Sequence, residues 1–251
     1  MFAIAKSLVE IPRRALLRAQ TQSSCIDALK AAKEINKSGF FSREKYWDLE
    51  KVNQAIKEID ILCQGKHIRN SWVDSVGSDH RFFRAETHNS IFNKFCNDPF
   101  IDEVRKIYTG RLKADKCVLA AKLLHKENNE GSGGGWHMDS PFSLQFKAFI
   151  FLTEVNECNG PLEIILQTRK NLTRLKLELN GLKKPGQYRF TANEGKDIQS
   201  FCGQSHVFLA RPGDLVMADV SALHRGRPIG AGARYALTLY CGDPKITEKL
   251  A

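Results

Sequence analysis

Apolar and polar positions divide the chain into two textures. In the first hundred residues the apolar positions recur at helical spacing. "SCIDALKAAKEINKSGFF" (24–41) predicts a helix that stops at Gly39, since glycine tolerates the left-handed conformation that ends helices. Ser42 is then predicted to cap "REKYWDLEKVNQAIKEIDILC", which places Trp47, Val52, Ile56 and Ile59 on or near one face. "DPFIDEVRKIYTG" (98–110) predicts a further helix, capped by Asp98, with Pro99 at its first position and Gly110 beyond its end.

From about residue 115 the period shortens. "KCVLAAKLLHKE", "SLQFKAFIFLTEV", "GPLEIILQ", "HVFLA", "DLVMADV" and "RYALTLYC" are short apolar or alternating runs separated by Gly, Pro, Asn and Asp. Short strands in series point to a sandwich, jelly roll or barrel. The expected architecture is one domain over 1–251, mainly β with α. A helical N-terminal part (about 1–112) would pack on a β-core (about 113–245). No internal repeat or linker interrupts it.

One insert interrupts the strands. Residues 169–189, "RKNLTRLKLELNGLKKPGQYR", hold Arg169, Lys170, Arg174, Lys176, Lys183, Lys184 and Arg189 against one acid, Glu178. Leu172, Leu175, Leu179 and Leu182 are spaced for one helix face, and Pro185-Gly186 for a turn. The insert reads either as a solvated basic face or as an electropositive lid over a substrate site.

Composition narrows the picture. With 42% hydrophobic residues the chain can bury one sizeable core, and its net charge of +10 favours anionic partners without choosing among them. The seven cysteines are scattered singly and no C-x-x-C occurs. That argues against a disulfide framework or a cysteine zinc site and for a reducing compartment, the cytoplasm. No apolar run reaches the length of a membrane span. Residues 1–20, "MFAIAKSLVEIPRRALLRAQ", alternate basic and apolar positions and are a candidate for peripheral membrane contact, an organelle presequence or an ordinary packed helix.

The candidate chemistry begins at "GWHMDSPF" (135–142). In an extended strand residues i and i+2 face the same way, so His137 and Asp139 would converge on one point. Two histidines and a carboxylate make the facial triad of non-haem iron oxygenases, which leaves three metal positions open. Downstream, His206 opens one strand and His224 closes "RPGDLVMADVSALHRGRP". Ten residues after His224 comes Arg234, whose fork of donors suits a carboxylate. His137 could equally be a core histidine, and such a triad could hold zinc.

These segments resemble the phytanoyl-CoA dioxygenase-like group of Fe(II)/2-oxoglutarate oxygenases. The likeness runs from about residue 39 onward through "GFFSRE", "DPFIDEVRKIYTG", "WHMD", "NGPLEII" and "RPGDLVMADVSALHRGRP" with Arg234. It implies a double-stranded β-helix (jelly-roll or cupin-like) core, iron(II) on His137, Asp139 and His224, and the far carboxylate of 2-oxoglutarate on Arg234. Lys122 is a second candidate for cosubstrate contact. O2 would be the oxidant, and the reaction hydroxylation or another oxidation of a C–H bond in a small molecule. Where the family commonly has Pro-Gly-Ser-His, this chain has Gln167-Thr168-Arg169-Lys170, which points to a different substrate. Trp136, Gln167, Arg169, Lys183 and Lys184 are the candidates for substrate contact, and an anionic sugar, lipid or carrier-linked substrate suits the charge. Retention of Asp139 disfavours the halogenase variant. Tyr240, standing where base-repair relatives have a second arginine, argues against a nucleic-acid substrate. A metal-stabilised binding module without turnover is the alternative.

Overall fold

A computed structural model describes residues 23–65, 70–139 and 146–242. Residues 1–20, the candidate membrane-contact segment, lie outside the described residues. No described helix is long and apolar enough to cross a membrane.

Four helices form the N-terminal layer: α1 (Ile26–Ser38), α2 (Leu49–Gln64), α3 (Ser90–Cys96) and α4 (Pro99–Thr109). Two of them end as their sequences predict. Gly39 closes α1 at φ +95°, its N–H donating to Ile35 O. Asp98 accepts from Ile101 N at the start of α4, Pro99 follows, and Gly110 closes the helix at φ +70°.

The cap of α2 differs from expectation. Ser42 lies in strand β1 (Phe40–Arg43), and Asp48 caps α2 by accepting from Lys51 N. "FFSR" is extended because it pairs with strand β8 (Leu215–Asp219), which fills the sheet edge before a helix can start. Trp47 therefore precedes the helix and packs edge-on to Phe95. The N-terminal part is also less purely helical than its periodicity suggests. It contributes β1 and the hairpin β2 (Ser71–Val73) with β3 (Asp79–Phe82).

The remaining strands build two sheets. The seven-stranded major sheet runs β1-β8-β5-β10-β4-β3-β2, antiparallel throughout, with β4 at Asp115–Leu124, β5 at Phe146–Phe151 and β10 at Ala233–Gly242. The minor sheet is β7-β6-β9: β7 at His206–Phe208, β6 at Leu162–Ile165 and β9 at Leu223–Gly226. Single bridges widen it, since His137 pairs with His224 on one side and with Arg189 on the other.

Three apolar layers hold these parts together. Helices α1–α4 cover the outer face of the major sheet, where Ile35, Ile59, Phe92, Phe95 and Tyr108 meet Val118, Ala120, Ile150 and Leu237. Phe151, Leu162, Ile164, Phe208, Val216 and Ala236 fill part of the space between the sheets. The outer face of the minor sheet carries α5 (Asn171–Leu179) and α6 (Ala192–Cys202), through Trp136, Ile165, Leu177 and Ile198. Two facing antiparallel sheets with a pocket between them are a double-stranded β-helix, the expected fold class.

The insert does form a helix, α5, but turned from the expected face. Leu172 and Leu179 are 74% and 77% exposed, while Arg174 and Leu177 are buried. The leucine spacing misled because Arg174 has stronger reason to turn inward. Its guanidinium donates to Thr168 O and Ser221 O, two backbone carbonyls that need donors once buried.

Candidate metal centre and its pocket

Strand alternation sets the site. Along 136–139, Trp136 and Met138 turn outward into the layer under α5 and α6, so His137 and Asp139 turn inward. The backbone of His137 exchanges hydrogen bonds with that of His224, at 2.8 and 2.9 Å. The two imidazoles thereby lie 4.2 Å apart between centroids. One ligand atom from each of His137, Asp139 and His224 falls within 4.8 Å of the others.

Each imidazole has a fixed tautomer. His137 Nδ1 is 2.9 Å from Gly135 O and His224 Nδ1 is 2.9 Å from Ala222 O. A carbonyl oxygen only accepts, so each Nδ1 carries the proton and each Nε2 presents a lone pair. Those lone pairs face Asp139 Oδ1, at 3.6 Å from His137 and 3.9 Å from His224. Three acceptors turned on one point without a proton between them fit a cation. Burial, and then the neighbouring His224, push the His137 pKa down to about 3, and burial lowers that of His224. Both rings are therefore neutral, the state that binds metal.

The carboxylate is shared. Oδ1 faces the imidazoles, and Oδ2 lies 2.5 Å from Lys147 Nζ, an ion pair made at close range without the angles of a hydrogen bond. Burial would raise the Asp139 pKa, but Lys147 and the two histidines hold it down to about 2. Lys147 is 5% exposed and its ammonium lies 3.9 Å from the centre of the Tyr240 ring. Burial disfavours its charge, yet Asp139 and Tyr240 more than restore it.

Inward positions of the major sheet line the pocket: Leu119 and Ala121 from β4, Lys147, Phe149 and Phe151 from β5, and Arg234, Ala236, Thr238 and Tyr240 from β10. Arg234 is 5% exposed, and its Nε has no hydrogen-bond partner among the described residues. Burial brings its pKa down to about 10, so it stays charged at neutral pH. A buried cation with a free donor, in the same pocket as the two imidazoles, is a place for an anion. Arg81 from β3 also lines the pocket, held by Asp79 and by Ser132 Oγ at 3.2 Å.

The loop 131–135 closes one wall. Arg189, cross-strand to His137, donates to Gly133 O and Gly134 O at 2.8 and 3.3 Å. A Cβ on Gly133 would collide with the His137 imidazole, and φ there is +96°. Only glycine lets the backbone come this close to that ring. His224 is braced from behind: Leu223 N donates to Thr168 Oγ1 at 2.7 Å, and Arg174 spans Thr168 O and Ser221 O.

His137, Asp139 and His224 thus cluster, Arg234 lines the same pocket as the two imidazoles, and the other sequence candidates lie elsewhere. Lys122 faces the helical side, where it pairs with Asp60 at 2.7 Å. It cross-pairs with Tyr235, whereas Arg234 cross-pairs with Leu123. Trp136 packs outward beneath Arg225, 4.4 Å from its guanidinium carbon. Arg169 donates to Asn36 O and Lys37 O and so fastens the end of α1. Lys183 is buried against Glu178 at 2.8 Å. Gln167 and Lys184 are exposed and line no part of the pocket. His206 stacks on Phe40, and His125 bonds Ile229 O.

Sequence reasoning missed Lys147 and Arg81, and it placed Arg174 and Arg189 only among the cations of the insert. Lys147 had left a signal: it is the one charged residue in "FKAFIF", and a lysine inside an apolar strand requires a buried partner.

No protein-family model and no curated protein sequence matches the chain. Its fold is shared by solved structures. The epimerase SnoN, solved with Fe3+, alpha ketoglutarate and nogalamycin RO, aligns over 86% of this chain and 84% of its own at TM-score 0.62 and 14% identity. A Pseudomonas putida prolyl-4-hydroxylase aligns over 86% and 98% at TM-score 0.55 and 13% identity. HygX from Streptomyces hygroscopicus, solved with nickel, 2-oxoglutarate and hygromycin B, aligns over 86% and 87% at TM-score 0.56 and 10% identity. At these identities the likeness establishes the fold.

Proposed function

We propose that this protein is an Fe(II)- and 2-oxoglutarate-dependent oxygenase acting on a C–H bond of a small anionic molecule, with the described chain working as one catalytic domain. The observation that carries the reading is the cluster of two neutral imidazoles with Asp139, whose imidazoles share a pocket with the buried Arg234, its Nε without a hydrogen-bond partner among the described residues. His137, Asp139 and His224 would hold the iron, and Arg234 the far carboxylate of the cosubstrate. Bound there, the iron with 2-oxoglutarate and O2 would supply the oxidation, giving succinate, CO2 and an oxidised substrate.

The chain's own residues do the rest. Gly135 O and Ala222 O hold the imidazole tautomers. Leu119, Ala121, Phe149 and Phe151 keep the pocket wall apolar, which strengthens the charge–charge contacts within it. An anionic substrate is supported by the net charge of +10 and by Arg81, which lines the pocket with the two imidazoles. Hydroxylation by the phytanoyl-CoA dioxygenase-like pattern is the reading that the "WHMD" and "RPGDLVMADVSALHRGRP" motifs favour. The seven unpaired cysteines suit the reducing cytoplasm.

Turnover tests the proposal. Protein loaded with Fe(II) should slowly convert 2-oxoglutarate to succinate without any substrate, and His137→Ala should abolish both metal retention and succinate. Metal and 2-oxoglutarate binding with no succinate formed would identify a binding module instead.

A further inference from the structure

Asp139 offers its two oxygens to different partners. Oδ1 is turned to both imidazoles, and Oδ2 is 2.5 Å from Lys147 Nζ. Lys147 cannot easily leave. It projects inward from β5 between Asp139 and the face of Tyr240, its cross-strand neighbour on β10, and is almost wholly buried. A carboxylate beside a divalent metal can bind through one oxygen or through both. Binding through both would fill one of the three positions that a facial triad leaves open.

We propose that Lys147 is a positioning residue that keeps Asp139 a one-oxygen metal ligand. It holds Oδ2 and so preserves three open positions on the metal. This inference rests on the iron reading above. A cosubstrate binding through two atoms, plus O2, needs all three positions; with two, the cosubstrate would bind and O2 would have no place. The ammonium also balances the Asp139 charge, so the triad gains nothing by drawing Oδ2 to the metal as well.

The test counts metal-bound waters, which a lysine that merely filled space would not change. Wild type and Lys147→Met are loaded with Mn(II), and water-proton relaxation reports the exchangeable waters on the ion. Wild type is expected to show about three and Lys147→Met about two. Lys147→Arg, which keeps a charged donor, should restore the third. With Fe(II), Lys147→Met should bind 2-oxoglutarate yet lose turnover by roughly 10–100-fold, the usual range for groups that support metal ligands. Equal water numbers in wild type and Lys147→Met would overturn the proposal while leaving the iron reading intact. Failure of wild type to bind Mn(II) or Fe(II) at all would overturn the iron reading itself. Lys147→Gln, polar but uncharged, is the second variant and is expected to behave as Lys147→Met does. If neither variant folds, the lysine serves folding and not coordination, and the proposal fails.

Discussion

The two sheets are held in different ways. Outside the major sheet lies a broad apolar layer, in which Phe92, Phe95, Ile101 and Tyr108 interlock with Val118, Ile150 and Leu237. Outside the minor sheet the apolar layer is smaller, and buried polar clamps do much of the fastening. Arg174 ties Thr168 to Ser221, and Glu163 receives Arg225, Arg227 and Ser205. Apolar packing is strong and tolerant of direction. Hydrogen bonds to charged groups are weaker in sum but fix angles. The sheet that brings both histidines together is the one fixed by direction.

The largest expected effects lie in crossing the two. Phe95→Ala removes a fully buried ring and should cost about 3–5 kcal/mol of stability in denaturant unfolding, with metal affinity of the folded protein unchanged. Arg174→Ala should cost less, about 1–3 kcal/mol for carbonyls left without donors, but weaken metal binding roughly 10–100-fold by freeing the turn before His224. Metal titrations that respond equally to both variants would erase the distinction between the sheets.

Arg234 complicates the division, because it belongs to the major sheet and yet serves the pocket. Arg234→Ala should raise the dissociation constant for 2-oxoglutarate tenfold or more, about 2–5 kcal/mol being typical when a buried charge loses its partner. Metal content should be unchanged. A cosubstrate titration by calorimetry that leaves the constant where it was would remove Arg234 from the site.

The contrast between the sheets also explains what could be read beforehand. Asp98, Pro99 and Gly110 bounded α4 because caps are local chemistry. His137 and Asp139 were legible because a two-residue alternation needs no tertiary knowledge. Lys122 and Lys147 were not separable. Both sit in strands buried on both faces, where Val118 and Leu119, or Ala148 and Phe149, are apolar on either side, so alternation gives parity but not which face is inward. The cap at Ser42 failed because pairing with β8 overrode a local preference. The insert failed because its leucines outnumber its one decisive arginine, and only the position of Ser221 shows why Arg174 is buried.

The smallest expected effect tests the electrostatic fastening itself. Glu163 is buried on β6, and its carboxylate takes Arg225 Nε at 2.8 Å, Arg227 Nε at 3.0 Å and the Ser205 hydroxyl. Burial alone would raise its pKa, but Arg227, Ser205 and Arg225 bring it from an ordinary 4.5 down to about 2. A carboxyl whose pKa is lower in the folded chain binds protons more tightly when unfolded. Its stabilisation is therefore complete above about pH 4.5 and lost as pH falls from there through about 2. Glu163→Gln keeps the shape and one acceptor but not the charge, so it should cost about 1–2 kcal/mol at neutral pH. That difference from wild type should shrink steadily as the unfolding experiment is repeated from pH 4.5 downward. A difference that stays constant across that window would mean that β6 is held to β9 by packing and backbone pairing alone, and the two sheets would then be fastened alike.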